Sequence, residues 1–261
     1  MSTGHVSAKR ELGQHFLVDD NILGVIGRLA ELGRDDVVLE IGPGLGVLTR
    51  YLADRVARVT TVEIDRSLEP RLSERLAGAD NIAVVYGDAL ALDLAALDPP
   101  PRKLVANLPY NVATPLVVES LDGLPSIERW CVMVQREVAD RLFAEPGTKA
   151  YGAVSVLVQL ATERAGFHPV ARTVFRPRPN VDSALVAFTR RPFPPDYAAI
   201  KRTVRGAFAH RRKTLPNSLD LSGVASRARV VTALAELGLG TAVRAEALRP
   251  EQFVELTGLV S

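Results

Sequence analysis

The stretch VVLEIGPGLGVLT, residues 37–49, decides the fold of this 261-residue chain. Five largely apolar residues typical of a buried strand run directly into a loop that contains Gly42, Gly44 and Gly46, and a helix pattern follows. Glycine allows a backbone to turn tightly and to approach a ligand closely. A glycine loop between a strand and a helix is the nucleotide-cofactor position of a doubly wound fold.

Strands and helices alternate along the chain after this stretch. Helix patterns of about ten residues separate the short apolar runs, which are 37–41, 58–64, 82–86, 103–107 and 129–134. Such alternation predicts an α/β fold with a Rossmann-like, doubly wound and mainly parallel sheet. Two strand-like runs, 167–175 and 182–190, predict an antiparallel pair at one edge of this sheet.

A second domain is predicted after the proline-rich segment RPFPPDY, residues 191–197, because only helix patterns follow it. We therefore expect one domain over 1–191 and a small all-helical domain over 192–261. No apolar run approaches the roughly 20 residues that span a bilayer, and the N-terminus has no apolar signal core. We expect a cytoplasmic protein without membrane contact.

The single cysteine, Cys131, lies in the apolar run WCVMV, where we expect a buried structural thiol. The four histidines are scattered without the spacing of metal ligands, so we expect no metal site. No long apolar seam indicates an obligate partner chain, and we expect a monomer.

Positive charge is concentrated in one segment, although the net charge is only +2. Residues 201–215, KRTVRGAFAHRRKTL, carry six lysines and arginines and no acid. Such asymmetry is typical of a surface that contacts a polyanion, but a solvated helix face has the same pattern. Charge alone leaves both interpretations open.

The spacing of the glycine loop argues against a dinucleotide. A dinucleotide fingerprint has the spacing Gly-x-Gly-x-x-Gly, and Val47 stands where its third glycine would be. Pro43 also removes an amide that could have faced a phosphate. The loop therefore favours a cofactor without a pyrophosphate over NAD.

Acidic residues follow the next two strands. Glu63 closes the second strand, where a carboxylate can accept hydrogen bonds from both ribose hydroxyls, and Asp65 is expected to cap the next helix. Asp88 follows the third strand and could accept from an adenine amino group. Consecutive strand ends that deliver these groups to one sheet edge resemble a class I S-adenosylmethionine-dependent methyltransferase.

The fourth strand, KLVAN, ends in Asn107-Leu108-Pro109-Tyr110, which looks like the motif of enzymes that methylate exocyclic amino groups such as adenine N6. Such a nitrogen is a poor nucleophile because its lone pair is delocalised into the ring. The Asn107 side-chain oxygen and the Leu108 carbonyl can each accept one N6 hydrogen and hold the nitrogen against the methyl donor. Pro109 fixes the bend, and Tyr110 offers a face on which a base can stack.

Motifs along most of the chain resemble the KsgA-type ribosomal RNA adenine N6-dimethyltransferases. They are LGQHFL (12–17), EIGPGLG, VEID, GDAL, NLPYN, QREVADRL (135–142), YGAVSVLVQ (151–159), FRPRPNVDSALV (175–186) and FAHRRKTL (208–215). The resemblance implies that the cofactor is S-adenosylmethionine. It implies cofactor contacts for His15, Leu17, Gly42, Gly44, Glu63, Asp88 and Asn107. It also implies that Phe175 stacks on the target base opposite Tyr110.

The same resemblance implies a partner and a substrate. The substrate is two adjacent adenosines in the hairpin loop near the 3′ end of 16S rRNA in the small ribosomal subunit. The resemblance favours RNA contact by the basic segment, with Arg205, Arg211, Arg212 and Lys213 as the candidate residues. Two alternatives stay open at this point: a resistance-conferring dimethylase of large-subunit rRNA, and an assembly factor that acts mainly by binding.

Overall fold

The structure is a computed structural model and describes residues 14–261. Leu12 and Gly13, the start of the LGQHFL motif, lie outside the described residues. The chain divides into two compact units, the first ending at Ala139 and resuming over 164–190, the second formed by 140–163 and 191–261. The second unit thus resumes next to the predicted boundary at 192, but it also includes 140–163, which the sequence assigned to the first domain.

Two sheets are found in the described part of the chain. Their strands are β1 (Phe16–Leu17), β2 (Val37–Ile41), β3 (Arg58–Glu63), β4 (Ile82–Tyr86), β5 (Lys103–Asn107), β6 (Arg129–Gln135), β7 (Thr162–Val170), β8 (Phe175–Arg176) and β9 (Ser183–Arg190). Seven strands form the main sheet in the order β4-β3-β2-β5-β6-β9-β7, whereas β1 and β8 form a small antiparallel sheet.

The main sheet confirms the predicted doubly wound, mainly parallel fold. Strands β4, β3, β2, β5 and β6 are parallel to their neighbours, and β9 runs antiparallel to β6. Parallel neighbours need crossover connections, and α2 (Val47–Ala53), α3 (Glu69–Leu76) and α4 (Ala113–Gly123) lie in the crossovers from β2 to β3, from β3 to β4 and from β5 to β6. Helix α1 (Asp20–Leu29) precedes β2, and α5 (Arg136–Leu142) follows β6 and continues into the second unit.

A hydrophobic core lies against the sheet, as the sequence pattern predicts. Helix α1 buries Ile22, Leu23 and Ile26, and the side chain of Asp19 caps it by accepting from the Asn21 amide at 2.9 Å. The thiol of Cys131 is fully buried in the same core, and burial raises its pKa to about 12. The predicted burial of this thiol is confirmed.

The second unit is helical apart from the first residues of β7. Its helices are α6 (Ala153–Ala161), α7 (Tyr197–Ala209), α8 (Leu215–Leu221), α9 (Arg227–Glu236) and α10 (Pro250–Val260). The rings of Tyr151, Phe208 and Phe253 pack together in this unit, and the Tyr151 hydroxyl donates to the Leu248 carbonyl at 2.7 Å. None of the described helices is long and apolar enough to cross a bilayer.

The order of the strands determines where a ligand can bind. The chain builds outward from β2 to β4 and then returns to place β5 on the other side of β2. Crevices in doubly wound sheets open at such a reversal, outside the carboxyl ends of the strands. In this chain those ends carry the glycine loop after β2 and the Asn107 motif at the end of β5.

Candidate active site

The glycine loop after β2 adopts backbone conformations that favour glycine. Gly42, Gly44 and Gly46 have φ angles of 76°, 56° and 75°, in the left-handed region. A Cβ atom at Gly44 would also lie 2.9 Å from the ring of Phe16. The loop can therefore run close to β1 only because no side chain intervenes.

Glu63, the last residue of β3, ties this loop to the sheet. Its carboxylate accepts from the backbone amides of Gly44 at 3.1 Å and Asp65 at 2.9 Å. Burial raises the pKa of Glu63, and these hydrogen bonds oppose the rise because they favour the ionised form. Asp65 in turn caps the following turn by accepting from the Ser67 amide at 3.1 Å, as predicted.

A second buried carboxyl, Glu40, lies on β2 and was not identified from the sequence. Only 1% of its surface is exposed, and the Thr49 hydroxyl donates to it at 2.7 Å. Burial raises the pKa of Glu40 to about 7, although the Thr49 hydrogen bond opposes this rise. The available signal was a single acid inside the apolar strand VVLEI, where an ionisable side chain is unusual.

These groups border a cleft at the carboxyl ends of β2, β3 and β5. Residues 14–17, 42–45 and 107–110 line it, together with Glu40, Val47, Leu48, Glu63 and Ile64. No lysine or arginine is present among the described residues of this lining. A cleft that contains the hydrogen-bonded carboxylate of Glu63 and no basic side chain suits a ligand with a positive centre, and it does not suit a pyrophosphate.

The Asn107 motif forms the side of the cleft at the end of β5. The Asn107 Nδ2 donates to the His15 carbonyl at 3.1 Å, and the Leu108 amide donates to the Met133 carbonyl at 3.1 Å. The Tyr110 hydroxyl forms a hydrogen bond with the Ser183 hydroxyl, and burial raises the pKa of Tyr110, so the phenol is neutral near pH 7. The motif is thus rigidly attached to its surroundings and contributes polar atoms to the cleft.

Comparison with known proteins identifies the family to which this chain belongs. The chain matches the family of ribosomal RNA adenine dimethylases over residues 5–260. It belongs to that family.

Relatives of known name agree with this assignment. The chain is 48% identical to a ribosomal RNA small subunit methyltransferase A from Rubrobacter xylanophilus, over 97% of this chain and 95% of that protein. A dimethyladenosine transferase from Plasmodium falciparum has a similar structure, with a TM-score of 0.78, 26% identity and coverage of 93% of this chain and 96% of that one. The 23S rRNA methyltransferase ErmE gives a TM-score of 0.67 with 34% identity, over 94% of this chain and 99% of that one. The protein is therefore a methyltransferase of the adenine dimethylase type.

Most of the site residues predicted for this dimethylase lie together. The ones that line the cleft are His15, Leu17, Gly42, Gly44, Glu63, Asn107, Leu108, Pro109 and Tyr110. Asp88 is not part of the described lining. It lies exposed after β4, and its carboxylate accepts from the Leu90 amide at 2.9 Å. Its contact with an adenine stays a prediction.

Phe175 has a different environment from the one predicted for a base-stacking ring. It belongs to β8, where it pairs with Leu17 of β1, and its side chain is 0% exposed within the hydrophobic core. It is absent from the described lining of the cleft. Stacking of Phe175 on a base stays a prediction, and it would require the ring to leave this core.

The predicted RNA-contacting residues lie in the second unit. Arg205 is on α7, and Arg211, Arg212 and Lys213 follow between α7 and α8, all with exposed side chains. Arg211 also has local partners, because its Nη2 donates to the Tyr151 carbonyl at 3.0 Å and lies 3.8 Å from Glu246. Lys201 of the same basic segment is only 9% exposed, so the segment is not uniformly solvated.

We predict that Glu40→Gln flattens the pH dependence of stability between about pH 4.5 and 7. In that range the folded chain keeps a proton on Glu40 that the unfolded chain releases, because its pKa is raised from 4.5 to about 7. Stability therefore falls as the pH rises, by about 3 kcal/mol across the range, and glutamine removes this component.

Urea unfolding at several pH values measures the effect. Exposed Glu74→Gln is the matched control and should follow the wild-type curve. Parallel curves for wild type and Glu40→Gln would show that Glu40 is not protonated in the folded chain.

Proposed function

We propose that the protein transfers methyl groups from S-adenosylmethionine to N6 of two adjacent adenosines in the 3′-terminal hairpin loop of small-subunit rRNA. The product is N6,N6-dimethyladenosine, formed while the small subunit is assembled. The observation that supports this most strongly is the Asn107–Tyr110 motif on the rim of a cleft lined by buried carboxyls and a glycine loop.

The cofactor proposal rests on the charge and shape of the cleft. When bound, S-adenosylmethionine supplies an electrophilic methyl group on a positively charged sulfur. Glu63, which accepts hydrogen bonds from two backbone amides, supplies negative charge to the cleft without a competing basic side chain in its described lining. Gly42 and Gly44 leave the backbone accessible, and Glu63 stands where a carboxylate can accept from ribose hydroxyls.

The chemistry proposed for Asn107 and Leu108 needs acceptors and no general base. The Asn107 Oδ1 and the Leu108 carbonyl each accept one N6 hydrogen, which holds the nitrogen in line with the methyl group. As the N–C bond forms and the C–S bond breaks, the nitrogen becomes positively charged and afterwards loses a proton to water. A neutral amide favours this step because it places no cation beside the developing charge.

The small subunit is favoured as the substrate by the names of similar relatives. Eight relatives at 41–48% identity, the Rubrobacter protein among them, are small subunit methyltransferases, whereas ErmE, named for 23S rRNA, is 34% identical. All proposed catalytic groups come from one chain, so the proposal needs only a monomer. It places the protein in the cytoplasm, where bacterial ribosomal subunits are assembled.

The proposal is tested by transfer of labelled methyl groups from S-adenosylmethionine to unmethylated small subunits, with large-subunit RNA in parallel. Mass spectrometry of the modified nucleosides should find dimethyladenosine at two adjacent positions near the 3′ end of the small-subunit RNA. Label on large-subunit RNA alone would reassign the substrate. Tight binding to small subunits without any label would instead indicate an assembly factor that acts by binding.

We predict that Asn107→Ala reduces turnover by at least about 100-fold and leaves the affinity for S-adenosylmethionine largely intact. Removal of one positioned hydrogen-bonding group from the reacting centre typically has an effect of this size. Single-turnover methylation measures the rate, and calorimetry measures cofactor binding. Wild-type turnover in this variant would show that the amide does not orient the amino group.

We predict that neutralising Arg211, Arg212 and Lys213 together weakens RNA binding and lowers its salt dependence. For every phosphate that the protein no longer neutralises, the slope of log K against log salt should fall by roughly one. Binding is measured at several salt concentrations. A double variant that neutralises only Arg212 and Lys213 keeps the bond from Arg211 to the Tyr151 carbonyl, and so tests whether loss of that bond contributes to the effect. The control is Arg102→Gln, an exposed arginine next to the amino end of β5. An unchanged slope would indicate that the basic segment is a solvated surface that does not contact RNA.

A further inference from the structure

The amide of Asn107 is held in one orientation by the backbone of residues 14–17. Its polar partner is the His15 carbonyl, 3.1 Å from the Asn107 Nδ2. A carbonyl oxygen can only accept a hydrogen bond, so the nitrogen of the amide must face His15. The oxygen, Oδ1, then lies at the opposite corner of the planar amide, and no hydrogen bond of the described residues occupies it.

The His15 side chain holds this carbonyl in place. The His15 Nδ1 lies 2.8 Å from the Pro177 carbonyl, which again can only accept, so Nδ1 carries the hydrogen. The imidazole ring also packs beside Tyr110, with 5.3 Å between ring centroids. His15 is therefore attached through its side chain to the segment after β8 and through its backbone to Asn107.

Neighbouring residues attach the same segment at both ends of the cleft. The Gln14 Nε2 donates to Asp65 at 3.0 Å, and the ring of Phe16 packs on Gly44. Phe16 and Leu17 pair with β8 as β1. We call residues 14–17 the strap, since they connect the glycine loop, the turn after β3 and the Asn107 motif.

The two proposed acceptors for the substrate amino group thus depend on different parts of the fold. Leu108 is attached to the main sheet through its backbone amide, which donates to the Met133 carbonyl of β6, and its own carbonyl follows in the next peptide. The Asn107 amide is fixed by the strap. A rotation of this amide by 180° would present its NH₂ group to the substrate amino group, and two donors cannot form a hydrogen bond with each other.

We infer that His15 is a positioning residue: its imidazole anchors the strap to Pro177, and its carbonyl keeps the Asn107 Oδ1 turned toward the substrate amino group. The inference rests on the proposed function, because it assigns the strap a role in the reaction of that same amino group. It predicts that loss of the imidazole donor lowers the rate of methyl transfer through Asn107, even when the cofactor and the RNA still bind.

Three substitutions separate the donor from the ring. In His15→Asn, the Nδ2 lies as many bonds from Cβ as the histidine Nδ1, so the donor to Pro177 is kept and the ring is lost. His15→Phe keeps a ring beside Tyr110 and loses the donor, and His15→Ala loses both. We expect kcat to fall about 10-fold or more in the Phe and Ala variants, as for the loss of one hydrogen bond, and to be largely restored in the Asn variant. The KM values for S-adenosylmethionine and RNA should change much less than kcat.

A double-mutant cycle shows whether His15 acts through Asn107. In an Asn107→Ala background there is no amide to orient, so His15→Phe should cause no further loss in single-turnover rate. A further 10-fold loss in that background would overturn the inference, as would a Phe variant at least as active as the Asn variant. A wild-type protein that transfers no methyl group would instead refute the proposed function itself, which separates the two failures.

Discussion

Parallel pairing of β2 with β3 and β5 is the constraint on which the rest of the site depends. It brings three carboxyl ends to one edge of the sheet, so that the glycine loop, Glu63 and Asn107 become neighbours although they are far apart in sequence. The positions of these groups are fixed by main-chain hydrogen bonds in the sheet, and only short loop segments lie between the strand ends and the cleft. The bonds from Gly44 and Asp65 to Glu63 then join two of these ends directly.

The two units differ in the charge of the surfaces proposed to bind ligands. The cleft of the first unit contains the Glu63 carboxylate and no basic side chain in its described lining, which suits a small cation, whereas the exposed turn after α7 in the second unit is basic and suits a polyanion. A net charge of +2 hides both features, because it is the sum of 32 basic and 30 acidic residues over the whole chain. The distribution of charge, and not its total, therefore indicates the two kinds of ligand.

The sequence predicted the fold and the groups that follow strands directly, since strand ends in an alternating chain converge on one edge. Glu63, Asn107 and the glycine loop are of this kind. Glu40 escaped prediction because it lies inside a strand, where its burial depends on the packing of neighbouring elements. The burial of Phe175 has the same origin, since pairing between β1 and β8 joins segments more than 150 residues apart. Helix α8 was not predicted as a separate element, because its 7 residues are too few to show a clear helical period.

The negative lining of the cleft has a consequence for product release under the proposed reaction. Transfer of the methyl group converts a charged sulfonium into a neutral thioether, so the spent cofactor loses its electrostatic attraction to Glu63 while its other interactions persist. The cleft would thus bind the fresh cofactor more tightly than the spent one. An enzyme that must exchange its cofactor between successive transfers to the same substrate benefits from this difference, because release is promoted by the reaction itself.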